Sequence, residues 1–435
     1  MNVMAIEGGL PLYGEAEVHG AKNAVLPVLS AALLCPRATV RSCPLLSDVW
    51  TARRILEHLG CRVSVSASER VLQIDSSDAD GYGVPESLAG EMRSSIVFLG
   101  ALLARWGKAH IALPGGCRLG PRPIDLHISG LRQMGVHIIE QEDGLLCSAD
   151  GVLKGADISL SYPSVGATEN LLIAAALAKG VTTIRGAAGE PEIDGLIDFL
   201  NSAGAKISRR DGILSIQGVD SLHEVDYNII PDRIEAATYL SAAAATGGEI
   251  TLKKICPELL TAVLPAFQEM GCEVEKGQNE VSLSAHGRLA PVKFLSSAPF
   301  PGFPTDALPP VMAAALLADG ESCFQEAVFQ SRFLHVDQFV KMGADVFVKE
   351  RKAFVKGVGR LKAARLHCTD LRGGAALVVA ALAADGVSFV DELHHICRGY
   401  DDMPGMICRL GGKVWLAAGM EERAPIELMP LVRSI

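Results

Sequence analysis

Six stretches of the chain are apolar almost all round: NAVLPVLSAALL, SSIVFLGALLARWG, ATENLLIAAALAKG, EAATYLSAAAATGG, ALPPVMAAALLADG and GAALVVAALAADG. A surface helix shows one apolar stripe, so segments without a polar face predict helices buried on every side. Short runs such as VTTIRG, EITLKK and VSFVDE follow them, and their β-branched alternation predicts half-exposed strands. Next comes an amphipathic segment, for example TARRILEHLG, ending in an apolar residue and a glycine that suits a helix C-cap. These endings are Leu59-Gly60, Met134-Gly135, Ala203-Gly204, Met270-Gly271, Met342-Gly343 and Leu410-Gly411, at intervals of 75, 69, 67, 72 and 68 residues. The recurrence predicts six copies of one βαβαββ-like unit.

Buried helices with strands outside them form an inside-out α/β arrangement, the reverse of a doubly wound sheet. Six units are too many for one core, and three plus three predicts two similar domains with a cleft between them, where the resemblance described below implies the active site. The midpoint falls near Tyr227 to Asp232. An open solenoid is the alternative, but the unequal intervals and distinctive loops favour two closed domains.

Composition adds limits to this picture. Of 435 residues 49% are hydrophobic but only 5% aromatic, so the cores are expected to consist of small side chains and closely packed helices. The longest uncharged run is the fourteen residues between Lys22 and Arg37, short of the ~20 that span a bilayer. The start, MNVMAIEGGL, has neither a basic nor an apolar signal region, so no secretion signal is expected. Eleven scattered cysteines without a CxxC pair fit free thiols in a reducing cytoplasm better than disulfides or a zinc site. A net charge of −10 counts against nucleic-acid binding and leaves room for a small anionic ligand where arginines gather.

Several residues could carry chemistry. Cys117 lies in LPGGCRLGPRPIDLH, where glycines and prolines make a buried helix or central strand a poor fit. Arg118 and Arg122 nearby would favour its thiolate, which suits a group that gives and takes a proton, and the glycines would let the loop close over substrate. Arg93, Arg122, Arg372 and Arg398 are candidate clamps for phosphate or carboxylate, although an isolated surface arginine is usually only solvated. Lys22-Asn23 and Ser164-Val165-Gly166 open the first and third buried helices, where capping and anion binding look alike in sequence. Asp306 begins the fifth, where an acid often only caps or offsets the helix dipole. His394-His395 invites a metal reading, but adjacent histidines usually point apart and no acid has ligand spacing, so no metal is expected.

The loops GAKNAVLP, EMRSSI, LPGGCRLGPRPIDLHISGL, SVGAT, EPEI, PDRIEA, FPTD, TDLR and HHICRGYDD occur in that order over about residues 1 to 418. Together they resemble the enolpyruvyl transferases, most closely the UDP-N-acetylglucosamine 1-carboxyvinyltransferases of peptidoglycan synthesis; the 5-enolpyruvylshikimate-3-phosphate synthases are the sister family. The resemblance implies an enzyme that needs no cofactor and takes phosphoenolpyruvate and UDP-N-acetylglucosamine. It also implies domains of 22–230 and of 1–21 with 231–435. It makes Cys117 the proton donor and site of a covalent adduct, and Asp306 the base. Lys22, Asn23, Arg93 and Arg398 go to phosphoenolpyruvate and its neighbour. Arg122, Pro123, Asp125, Leu126, Ser164, Val165, Gly166, Val328 and Arg332 line the sugar-nucleotide side, with Asp370 and Arg372 supporting the site.

Two positions depart from the family, Ser47 before Asp48 and Tyr162 before the SVGAT serine, where lysines are usual. A charge-assisted contact is worth roughly 1.5–3 kcal/mol. A divergent paralogue with another nucleotide sugar or weak activity, or a shikimate-type enzyme, therefore stand as alternatives. Oligomeric state is not legible.

Overall fold

The computed structural model describes residues 2–115, 119–120, 122–418 and 422–423. The six apolar segments form inner helices, here α1 (Lys22–Ala32), α2 (Phe98–Trp106), α3 (Val165–Ala175), α4 (Arg233–Thr246), α5 (Leu308–Ala315) and α6 (Leu371–Leu382). Every residue of α5 and α6 is buried, as is all of α4 except Thr246. Alanine makes this close approach feasible, since it adds little bulk at a helix contact. The second segment departs from expectation: Arg93–Val97 is a 3-10 turn, and α2 starts only at Phe98. Ser95 Oγ donates to the Ala89 and Met92 carbonyls and competes with the regular helical pattern there.

Each unit adds one sheet with a constant strand order. In the third unit Asp157–Ser159 runs parallel to Val181–Arg185, which is antiparallel to Ile213–Gln217, itself antiparallel to Lys206–Arg210. Gly83–Val84, Lys108–Ile111, Gly144–Ala149 and Val136–Gln141 repeat that order, as do Leu295–Ser296, Glu321–Gln325, Lys352–Lys356 and Asp345–Lys349. Three units borrow a strand from far along the chain. Val225–Asn228 pairs with Arg37–Arg41 of the first unit, and Tyr13–Glu17 pairs with Glu249–Lys253 of the fourth. Asn2–Glu7 completes the sixth sheet between Val387–Asp391 and Lys413–Ala418. All six glycines that end the outer helices adopt positive φ: 94° at Gly60, 90° at Gly135, 100° at Gly204, 86° at Gly271, 88° at Gly343 and 79° at Gly411. That left-handed turn is why a glycine recurs there.

The described residues fall into two compact bodies. The first takes those of Gly20–Cys117 and Arg122–Ile230. The second takes those of Met1–His19 and Pro231–Ile435, together with Leu119 and Gly120. In the second, α4, α5 and α6 pack on one another; in the first, α2 packs on α3 while α1 also lies against the outer helix Pro191–Ser202. Among the described residues no helix is long and apolar enough to cross a membrane, and no cysteine is in a disulfide.

Candidate active site

In the first body the candidate residues Lys22 and the Ser164 turn stand at the starts of inner helices. Lys22 is the first residue of α1, buried, with Nζ 2.7 Å from Asp48 Oδ2 in the first turn of the helix Ser47–His58. Asn23 beside it is half-buried. Arg93 Nη2 donates to the carbonyl of Arg122. Burial, and then the neighbouring Arg122 guanidinium, pull Arg93 down to about 10. Two cations brought together at a cost favour an anion between them.

Ser164 caps α3, its hydroxyl accepting from Ala167 N at 3.4 Å, so Val165 and Gly166 form the first turn. Gly166 faces His127: a Cβ there would lie 3.3 Å from His127 Cε1. His127 Nδ1 is 2.9 Å from Asn170 Nδ2, and Asn170 also donates to Ile96 O at 3.0 Å. Asn170 thus ties the SVGAT turn to the segment after Arg93. Burial, with Arg93 adding to it, lowers His127 to about 4, so its ring stays neutral near pH 7. Pro123 and Asp125 are exposed and Leu126 is half-buried, the latter two opening the helix Asp125–Gln133.

Cys117, with Gly116, Arg118 and Pro121, lies outside the described residues. Gly115 is described, and it serves close packing: a Cβ would stand 1.7 Å from the Gly90 carbonyl oxygen. Tyr162, at one of the departures, is 43% exposed, and its carbonyl accepts from Ser164 N at 2.7 Å. Ser47 starts its helix and is half-buried.

The second body surrounds a carboxylate with cations. Asp306 Oδ1 is 2.8 Å from Arg332 Nη2, and Asp306 Oδ2 is 3.1 Å from Arg372 Nη2. Both arginines are almost fully buried, whereas Asp306 is half-buried. Asp306 does not begin α5 as expected; it sits in the preceding turn, because α5 starts at Leu308. Its carboxylate faces the two arginines. Burial alone would lower Arg372, but Asp306, Tyr400 and Asp232 outweigh it and hold the guanidinium above its ordinary value. Asp370 caps α6, accepting from Arg372 N at 3.1 Å and Gly373 N at 3.0 Å.

Val328 N donates to Glu326 Oε1 at 2.6 Å, and Arg398 is half-buried after the short helix His394–Cys397. The two histidines do not point apart: their rings lie 4.0 Å apart, and Glu392 Oε2 is 3.2 Å from His394 Nδ1. Even so, no group of three His, Cys, Asp or Glu among the described residues is placed to hold a metal.

His127, Asn170, Thr305, Glu326 and Tyr400 also belong to these contacts and are not singled out by the sequence alone. Their signal was weak, since each acts through partners distant in sequence. Lone polar residues within the matched loops, such as the histidine of DLHISG, were the available hint.

Comparison with known proteins follows the same lines. The family described as EPSP synthase (3-phosphoshikimate 1-carboxyvinyltransferase) matches residues 6–407. The chain is 44% identical to UDP-N-acetylglucosamine 1-carboxyvinyltransferase 2 of Caldanaerobacter subterraneus subsp. tengcongensis, over 95% of this chain and 99% of that relative. It is 42% identical to UDP-N-acetylglucosamine 1-carboxyvinyltransferase of Acinetobacter baylyi, again over 95% and 99%. Among solved structures, the fold matches the enolpyruvyl transferase NikO from Streptomyces tendae with a TM-score of 0.84 at 24% identity, over 95% of this chain and 98% of that one. It also matches EPSP synthase from Acinetobacter baumannii with a TM-score of 0.72 at 18% identity, over 96% and 100%.

Proposed function

The chain belongs to the EPSP synthase family of enolpyruvyl transferases, and from that premise we propose that it moves the enolpyruvyl group of phosphoenolpyruvate onto the 3′-hydroxyl of UDP-N-acetylglucosamine. Phosphate is released, in the first committed step of peptidoglycan synthesis. Near-full-length similarity to relatives bearing that activity in their names carries the reading. The same reading makes the protein a cytoplasmic enzyme of cell wall biogenesis, cell shape and division, makes the two bodies its two domains, and makes Cys117 a target of fosfomycin.

The chemistry is addition followed by elimination. Asp306 takes the proton of the attacking hydroxyl as its oxygen bonds to the second carbon of phosphoenolpyruvate. Cys117 protonates the methylene carbon, giving a tetrahedral intermediate. Loss of a proton from the new methyl group then restores the double bond and expels phosphate. Lys22, Asn23, Arg93 and Arg398 hold phosphoenolpyruvate and offset the charge of two anionic substrates, the electrostatic part of the catalysis. Arg122 to Leu126, the Ser164 turn, Val328 and Arg332 hold the sugar nucleotide; Asp370 and Arg372 support Asp306.

Phosphate release from phosphoenolpyruvate is the test. Release that requires UDP-N-acetylglucosamine, is absent in Cys117→Ser, and stops after fosfomycin alkylates the wild-type thiol is the expected result. Release with shikimate 3-phosphate instead would overturn the substrate. Binding of the sugar nucleotide with no release above the Cys117→Ser control would identify a non-catalytic paralogue, in line with Ser47 and Tyr162.

A further inference from the structure

Glu326 is 1% exposed and takes no part in the chemistry above. Its carboxylate accepts four hydrogen bonds from three separate segments. Oε1 accepts from Ser297 Oγ at 2.9 Å, Val328 N at 2.6 Å and Phe329 N at 2.8 Å. Oε2 accepts from Thr305 Oγ1 at 2.7 Å. A buried carboxylate so well supplied with donors is held in one place and can serve as an anchor.

Thr305 connects that anchor to the proton acceptor. Its Oγ1 accepts from Arg332 Nε at 3.1 Å and Nη2 at 3.0 Å, and the same Nη2 reaches Asp306 Oδ1 at 2.8 Å. A guanidinium only donates, a carboxylate only accepts, and a threonine hydroxyl has one proton. The order along the row is therefore fixed: Arg332 donates to Thr305, and Thr305 donates to Glu326. Glu326 Oε2 and Arg332 Nε are 3.9 Å apart, too far for a direct hydrogen bond, so the hydroxyl is the link. Phe329, whose backbone N–H is bound by Glu326, also lies under the guanidinium at 4.8 Å and fixes its plane.

We propose that Glu326 and Thr305 form a polarised hydrogen-bond relay that aims Arg332 at Asp306, which makes both of them positioning residues for the carboxylate that receives the sugar proton. The catalytic consequence rests on the function proposed above; the orientation of Arg332 does not.

Three substitutions separate the relay from simple support of the fold. Glu326→Gln keeps the size and one carbonyl oxygen but turns an amide donor toward Thr305, so the hydroxyl meets donors on both sides and loses its acceptor. Thr305→Val deletes the hydroxyl at constant shape. Thr305→Ser keeps it. The readouts are kcat and KM for both substrates, and the nitrogen-15 NMR signal and exchange protection of the Arg332 Nε–H.

With the full chain, Glu326→Gln and Thr305→Val are expected to lower kcat about tenfold to a hundredfold, with the KM for phosphoenolpyruvate within about threefold. Both should shift the Arg332 signal and speed its exchange, while Thr305→Ser stays near wild type in both respects. Should Glu326→Gln fold poorly, Thr305→Val carries the test. An unchanged kcat in Thr305→Val, or a Thr305→Ser variant that falls as far as Thr305→Val, overturns the relay. If the wild type does not turn over UDP-N-acetylglucosamine, the proposed function fails and the NMR signal still decides. A shift in Thr305→Val that serine abolishes supports the relay, and an unchanged signal overturns it.

Discussion

In the first body Arg93 leans on the carbonyl of Arg122 and is pulled down to about 10 by burial and by its cationic neighbour. In the second, Arg332 and Arg372 close on the two oxygens of Asp306, and Arg372 is held above its ordinary value. The same residue type thus stands under tension on one body and in balance on the other. Tension of that kind is relieved by a bound anion, so it suits a substrate-holding end. A balanced pair of arginines fixes a carboxylate in place, which suits proton transfer.

The largest expected effect belongs to the balanced end. Asp306→Asn should lower kcat by about 10²–10⁴ in steady-state assays while sugar-nucleotide binding persists; a variant that keeps its kcat removes the distinction. Stability should separate the bodies next. Arg372→Met breaks a buried pair and should cost about 3–5 kcal/mol in urea unfolding. Arg93→Met relieves repulsion and should cost nothing or stabilise slightly. Equal losses would show that the tension is not real.

The third effect is an acid limb of stability. His127 stands at about 4 in the folded protein against 6.5 for the free side chain, so the unfolded chain binds the extra proton as pH falls through 6.5. Stability from this site is undiminished above 6.5, declines between 6.5 and 4, and is flat below; the total is about 3 kcal/mol. His127→Leu should remove that slope whatever it does to stability at neutral pH, and an unaltered slope would assign the acid limb elsewhere. Smallest is the response to inorganic phosphate. Millimolar phosphate should raise the melting temperature of the wild type by a few degrees and that of Arg93→Met by less, through preferential binding to the folded state. Equal shifts would move the anion site away from Arg93.

The repeat was legible because it rests on local rules. All-round apolarity marked the inner helices, and the glycines at 60, 135, 204, 271, 343 and 411 marked left-handed turns that their positive φ bears out. The borrowed strands Val225–Asn228 and Tyr13–Glu17 were not legible, since nothing local says which distant strand a short β run joins. The same holds within the site. Arg372 and Asp306 each lay in a recognisable loop, but their contact spans sixty-six residues, and Glu326 looked like any surface acid until its four donors converged. Asp306 stands two residues ahead of the helix it was expected to begin, an expectation that arises because a carboxylate ahead of an apolar helix reads as a cap. The approach of the His394 and His395 rings to 4.0 Å was not legible either, since it depends on side-chain orientation rather than on their spacing along the chain.

The most direct test of the whole account is the reaction of phosphoenolpyruvate with UDP-N-acetylglucosamine in deuterium oxide, followed by mass analysis of the sugar product. Addition and elimination through a transient methyl group predict an enolpyruvyl product with deuterium on its vinyl carbon, formed by the wild type and not by Cys117→Ser or Asp306→Asn. A product without deuterium, or phosphate released with no enolpyruvyl sugar formed, would contradict it.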